Sequence, residues 1–180
     1  MKKLDLTNIQ EAGEFTKLPA GPYICVISWA EDVPEKEYLK ITYDIFEGQY
    51  AGYYSKTRKD HPDWSWSGVY VKSYKEKALP MFKRFCSAVS KSNGNFVFDG
   101  GSVNADERTL VGKKIGLVFQ EEEYYSNSGD IRTRLIVKTE FPIDKLDSQK
   151  VPPVKQLEKK ATITDDFVSV STVAEEVPWS

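Results

Sequence analysis

Side chains able to carry chemistry are unevenly spread by type along these 180 residues. Histidine occurs once, as His61 in the stretch DHPDW, so zinc sites built on several imidazoles and nucleophile–histidine triads both lack parts. A solvated loop histidine is the plain reading of that residue. The stretch GKKIG, from Gly112, has no second glycine at the distance before the lysine that a phosphate-binding loop requires. Glu121, Glu122 and Glu123 form an acidic run. Consecutive strand residues alternate faces, however, so at most two of them could converge on a metal, and a solvated hairpin end accounts for them as well. A metal-dependent nuclease would have to draw on Asp63, Glu121 and Glu123. No catalytic residue, metal or cofactor is assigned, and a non-enzymatic role is expected.

What the chain has in quantity is aromatic rings interleaved with cations. Tyr38, Lys40 and Phe46 form one such set, and Tyr54, Lys56 and Arg58 a second at spacing two. Trp64 and Trp66 follow, then Tyr124 and Tyr125, then Arg132, Arg134 and Lys138. Sequence-tolerant binding of a single-stranded polynucleotide needs this combination. Each base has a face that stacks on an aromatic side chain for ~1–3 kcal/mol, while cations track the phosphates. Such binding weakens with salt through counterion release. The competing reading is that the rings fill a small core, as Tyr43 and Tyr53 are expected to do.

Rings and cations can cooperate only if the fold gathers them on one flank. GPYICVISWAEDV, from Gly21, is rich in β-branched and aromatic residues and reads as a strand. In EYLKITYDIFEG, from Glu37, Leu39, Ile41, Tyr43 and Ile45 alternate with Tyr38, Lys40, Thr42 and Phe46, giving a strand with one core face. QYAGYYSKTRK, after Gly48, is expected to be a third strand in a tight hairpin with the second. DHPDWSWSGVY then reads as a loop.

From Lys72 to Ser92 the period changes. Ala78, Leu79, Phe82, Phe85, Cys86 and Val89 recur at spacings of three and four, predicting a helix that Pro80 either opens or kinks. A Gly/Asn-rich connector leads to KKIGLVFQEEEYY and DIRTRLIVKTEF, two strands around an SNSG turn. Five strands with one helix between the third and fourth is the element order of the OB-fold, a partly open Greek-key barrel. The fold class is therefore mainly β, with a domain over residues 1–146 and a flexible tail over 147–180. Oligonucleotides cross such barrels over strands two and three, between the first and last hairpin loops.

Composition agrees with a globular body: 40% hydrophobic and 29% charged residues, and no apolar run long enough for a membrane span. Cys25 and Cys86 are expected to be free buried thiols, and the N-terminus makes a poor signal peptide, so a cytoplasmic location is expected. The net charge of −2 hides an asymmetry. No Lys or Arg follows Lys160, whereas Asp165, Asp166, Glu175 and Glu176 contribute four negative charges, so the preceding residues carry +2.

The chain ends EEVPWS. A barrel body, a proline-marked linker and an acidic, cation-free tail closing on Pro178 and Trp179 resemble the bacterial single-stranded DNA-binding (SSB) proteins. The tails of that family end in an Asp-rich run, a hydrophobic residue, Pro and Phe. Here Trp replaces Phe, and Ser180 displaces the terminal carboxylate by one residue. The stretches LPAGPYICVI, KSYKEKALPMFKRF, LVGKKIGLVFQEEEY and IRTRLIV, within residues 18–141, are similar to single-strand binding proteins encoded by phages of Gram-positive bacteria. The resemblance implies coating of single-stranded DNA during replication or recombination, without a cofactor. It implies partner docking through Asp165, Asp166, Glu175, Glu176, Val177, Pro178 and Trp179, and, for a phage protein, residence in the host cytoplasm. A homo-oligomer is compatible with the sequence, and no membrane partner is expected. The rival reading is a phage protein–protein adaptor or recombination accessory that does not touch DNA.

Overall fold

A computed structural model of the chain describes residues 17–64, 67–100 and 106–157. Among them, β1 (Gly21–Val33), β2 (Tyr38–Ile45), β3 (Val69–Ser73), β4 (Lys114–Tyr125) and β5 (Ile131–Phe141) form one antiparallel sheet in the order β3-β2-β1-β4-β5. Two helices interrupt them, α1 (Tyr53–Asp60) before β3 and α2 (Leu79–Ser92) between β3 and β4. No helix among the described residues is long and apolar enough to cross a membrane.

The alternation in β2 works as expected. Leu39, Ile41, Tyr43 and Ile45 are 5, 0, 4 and 2% exposed and form one wall of the core. β1 supplies Cys25, Ile27 and Ala30 to the same core. The step from two residues to three marks a bulge between Ile27 and Trp29, which turns Trp29 outward at 57% exposure. α2 closes one side of the sheet with Phe82, Phe85, Cys86 and Val89, and Pro80 sits in its first turn, where a missing N–H costs nothing. Asn93 staples the end of α2 to β4, donating to the Lys114 carbonyl at 2.8 Å and accepting from its N–H at 2.9 Å. Both cysteines are free and buried.

The predicted third strand is a helix. QYAGYYSKTRK carries tyrosine and threonine, which favour strands, but β-propensity yields readily to tertiary context. Here the context is the buried carboxylate of Asp44 on β2. Its Oδ1 accepts from the N–H of Tyr54 at 2.9 Å and its Oδ2 from that of Ser55 at 2.8 Å. Two donors that open the first turn of α1 are thus satisfied by an anion at the positive end of the helix. Tyr54 and Thr57 then face inward at a spacing of three. The strand that does pair with β2, Val69–Ser73, comes from a stretch that sequence divides between a loop and the start of a helix, and α2 begins at Leu79 rather than Lys72.

β3 and β5 are the two edges of the sheet, and both line a cleft of ≈ 430 Å³. Lys72 of β3 and Glu140 of β5 meet at 2.6 Å with side chains 9 and 2% exposed, and Arg84 of α2 stands 3.7 Å from the same carboxylate. The segment after β5 does not leave the body at residue 147. Lys155 lies in parallel register beside Glu122, so the chain follows β4 as far as Leu157.

Two stability predictions follow from these buried charges. Asp44→Ala should lower unfolding free energy by about 2 kcal/mol or more in urea titrations, because it exposes helix donors without a partner. An unchanged midpoint would refute the capping role. Lys72→Met should cost about 3–5 kcal/mol by stranding Glu140, whereas Lys72→Met with Glu140→Met should recover most of that loss. A double variant as unstable as the single one would contradict this pairing.

Candidate nucleic-acid interface

α1 and the connector behind it face the β4–β5 hairpin across a groove of ≈ 650 Å³. Tyr43, Tyr53 and Tyr54 line one side, with Trp64 at the connector; Lys17, Tyr124, Thr133 and Arg134 line the other. The tyrosines pack edge to face, Tyr43 to Tyr54 at 5.1 Å and Tyr53 to Tyr54 at 5.1 Å between ring centroids. Trp64 stacks on His61 with centroids 4.2 Å apart and planes 14° from parallel, and it remains 44% exposed. The connector is held against α1 by Arg58, whose Nη1 donates to the Ser67 carbonyl at 2.8 Å. At Gly68, with φ of 68°, a Cβ would lie 2.7 Å from Tyr54 and from Arg58, so only glycine permits this approach.

The predicted site residues divide into several groups. Trp64, Tyr124 and Arg134 meet at this groove. Tyr54 meets them as a buried residue, 7% exposed, which corrects its expected surface position: it sits on the inner face of a helix, not on a strand. Lys56 is exposed on α1, whereas Arg58 is half-buried and committed to the connector. Tyr38 and Lys40 lie on the outer face of β2, both half-buried. Phe46 is 40% exposed just beyond β2, with the Lys114 ammonium 3.8 Å from its ring centroid. Tyr125 is exposed at the hairpin end, paired with Ile131, and Arg132 is exposed opposite Tyr124. Lys138 does not join Arg134. It falls at the β5 bulge, where Val137 and Thr139 pair with consecutive β4 residues, and it lines the β3–β5 cleft instead. Trp66 and the tail residues Asp165, Asp166, Glu175, Glu176, Val177, Pro178 and Trp179 lie outside the described residues.

Two contributors escape sequence reasoning. Strict alternation places Trp29 with Cys25 and Ile27 in the core, and only the bulge brings it to the outer face beside Thr42. Lys17, ahead of the first strand, belongs to no periodic segment, yet its ammonium reaches Glu121 of β4 at 2.6 Å. The acidic run proves to be a set of counter-ions. Glu121 holds Lys17; Glu122 holds Arg134 at 2.8 Å and Lys155 at 2.7 Å; Glu123 accepts from the Leu157 N–H. Hydrogen bonds from Lys155 and then Arg134 hold the Glu122 carboxyl below its ordinary pKa. Among the described residues no three His, Cys, Asp or Glu side chains are grouped to hold a metal.

A larger cavity, ≈ 1000 Å³, lies against α2, lined by Leu39, Leu79, Phe82 and Phe98 together with Asp32, Asp99, Glu107 and Lys83. Three carboxylates against one ammonium, Lys83, make that cavity a poor host for a polyanion, whereas the smaller groove has Lys17 and Arg134 against Asp63. No family model matches the chain, and no curated protein matches its sequence.

The tyrosine cluster makes stability depend on alkaline pH. Burial raises the pKa values of Tyr43, Tyr54 and Tyr70 above the ordinary 10; neighbouring acidic groups add to the shift at Tyr43 and Tyr70, whereas the Tyr43 hydroxyl opposes it at Tyr54. The folded state therefore keeps protons that unfolded tyrosines lose. Stability from this source is intact below pH ~10 and falls as pH rises beyond it, by about 1.4 kcal/mol per pH unit for each tyrosine held protonated. The Tyr70 hydroxyl is buried and hydrogen-bonded to no described residue. Tyr70→Phe should be neutral or stabilising in urea melts at pH 8 and should flatten the decline between pH 10 and 11. A decline as steep as the parent's would remove Tyr70 from the account.

Proposed function

We propose that this protein binds single-stranded DNA without strong sequence preference, as a non-enzymatic module with an OB-type sheet, acting in replication or recombination. The observation that carries this reading is the groove in which Tyr53, Trp64 and Tyr124 stand with Lys17 and Arg134. Rings offer stacking faces to bases of any sequence, and cations beside them meet the phosphates. The strand order β3-β2-β1-β4-β5, with α2 between β3 and β4, supports an OB-type barrel in which β3 and β5 close the remaining gap. The outer face of β2, one of the strands over which such barrels carry DNA, adds Tyr38 and Lys40, with Trp29 of β1 beside them. In this reading the residues after Leu157 form the docking segment for replication or recombination enzymes.

Titration with oligo(dT), duplex DNA and RNA at two salt concentrations tests the proposal. Oligo(dT) should quench tryptophan fluorescence, bind more tightly than duplex and weaken as salt rises. Trp64→Ala and Trp29→Ala should each weaken binding by about 1–3 kcal/mol. A chain ended at Leu157 should bind DNA at least as tightly as the parent, yet fail to capture its partner enzymes. An absence of binding in both forms would favour the adaptor reading, which the apolar cavity against α2 supports.

A further inference from the structure

The second edge of β4 changes hands along its length. β1 pairs with β4 only as far as Gly21 opposite Phe119, and beyond that the segment 151–157 takes its place. The Lys155 N–H donates to the Glu121 carbonyl at 2.8 Å, and its carbonyl accepts from the Glu123 N–H at 2.9 Å. Gln120 ties down Pro153 through a 2.8 Å bond to its carbonyl. This strap delivers the Lys155 ammonium to the side of Glu122 opposite Arg134's approach across the hairpin.

Glu122 therefore carries two cations on one carboxylate. Arg134 donates to Oε2 through Nε at 3.0 Å and Nη2 at 2.8 Å, and Lys155 donates to Oε1 at 2.7 Å. The carboxylate side chain is 15% exposed, whereas Arg134 and Lys155 are 58 and 59% exposed. The cations thus cover the anion and face solvent themselves. Arg134 also stands 5.1 Å from the Tyr124 ring centroid, where a phosphate on the guanidinium would have its base within reach of an aromatic face. A guanidinium fork and an ammonium around one anion is the donor set of a phosphate site.

We propose that Arg134 and Lys155 form a phosphodiester site that the Glu122 carboxylate occupies in the free protein, so that Glu122 is an internal competitor setting how many phosphates the chain neutralises. The inference rests on the polynucleotide reading above and adds a device to it. Exchange of one bound anion for another releases no net counterion. Those two cations consequently add little to the salt dependence of binding while Glu122 is present.

The test uses the full chain and oligo(dT), with affinity measured across a series of KCl concentrations. Glu122→Gln keeps the size and one acceptor oxygen while removing the charge. It should tighten binding at low salt several-fold and steepen the slope of log K against log[salt] by about 0.7–1.4, one to two phosphates for a single strand. Arg134→Ala added to Glu122→Gln should take back about 0.7 of that slope. In the parent background Arg134→Ala should alter the slope less than Arg132→Ala, which among the described residues pairs only with the exposed Asp130, 4.0 Å away. That comparison stands even if Glu122→Gln fails to fold. Asp144→Asn, on the 3-10 turn Ile143–Ser148, removes the same charge outside the groove and should leave the slope unchanged. An unchanged slope in a Glu122→Gln chain that still binds, or equal steepening in Asp144→Asn, would overturn this inference and leave the binding function intact. Failure of parent and variants alike to bind oligo(dT) would overturn both.

Discussion

The buried carboxylate of Asp44 is the constraint on which the groove depends. It stands on β2, inside the sheet, and accepts three backbone N–H groups: its neighbour Ile45 and the first turn of α1. A charge so placed is tolerated only when hydrogen bonds replace its water. The helix supplies them, and the helix in turn is anchored by the charge. Because α1 starts there, the chain after β2 runs into a helix instead of turning straight back. Tyr54 and Thr57 face the core from it, and Arg58 and Gly68 hold the start of β3 close to it. The same helix carries Tyr53 and Tyr54, which line the groove with Trp64, Tyr124 and Arg134.

Charge is arranged with similar economy on the opposite wall. Three consecutive glutamates on β4 look, as letters, like a ligand set for a metal or an exposed acidic tip. In space each has a different cationic or backbone partner, and two of those partners face the groove. Such pairs contribute little to stability where solvent reaches them. Their consequence is electrostatic: each carboxylate offsets the charge of the cations beside it, and the segment 151–157 takes part through Lys155. Under the proposed function, that offset would moderate the attraction for a polyanion.

The sheet edges show a related balance. β3 and β5 carry no ladder to each other in the strand order, and the cleft between them is bridged by Lys72 and Glu140. A buried ion pair is a costly fastening compared with apolar packing, but it tolerates only the correct partner. Tyr70 lines the same cleft and Arg84 approaches Glu140 from α2, so polar groups stand among the aliphatic side chains between the two edges.

Period and propensity made four of the five strands and α2 legible, because each buries one face against a common core and repeats at two or at three and four. Residue type also shows which side chains could stack on a base or meet a phosphate, but not which of them come together. Three features were out of reach. The segment 53–60 reads as a strand until Asp44, ten residues earlier, is seen to cap it. Trp29 reads as core until a one-residue bulge reverses its phase. Lys17 and Lys155 have no pattern at all, because their partners are more than thirty residues away. Residue types and their spacing show which chemistry is available and which elements are regular. Which of those groups share a groove depends on capping, bulges and ion pairs, which act between residues that are neighbours only after folding.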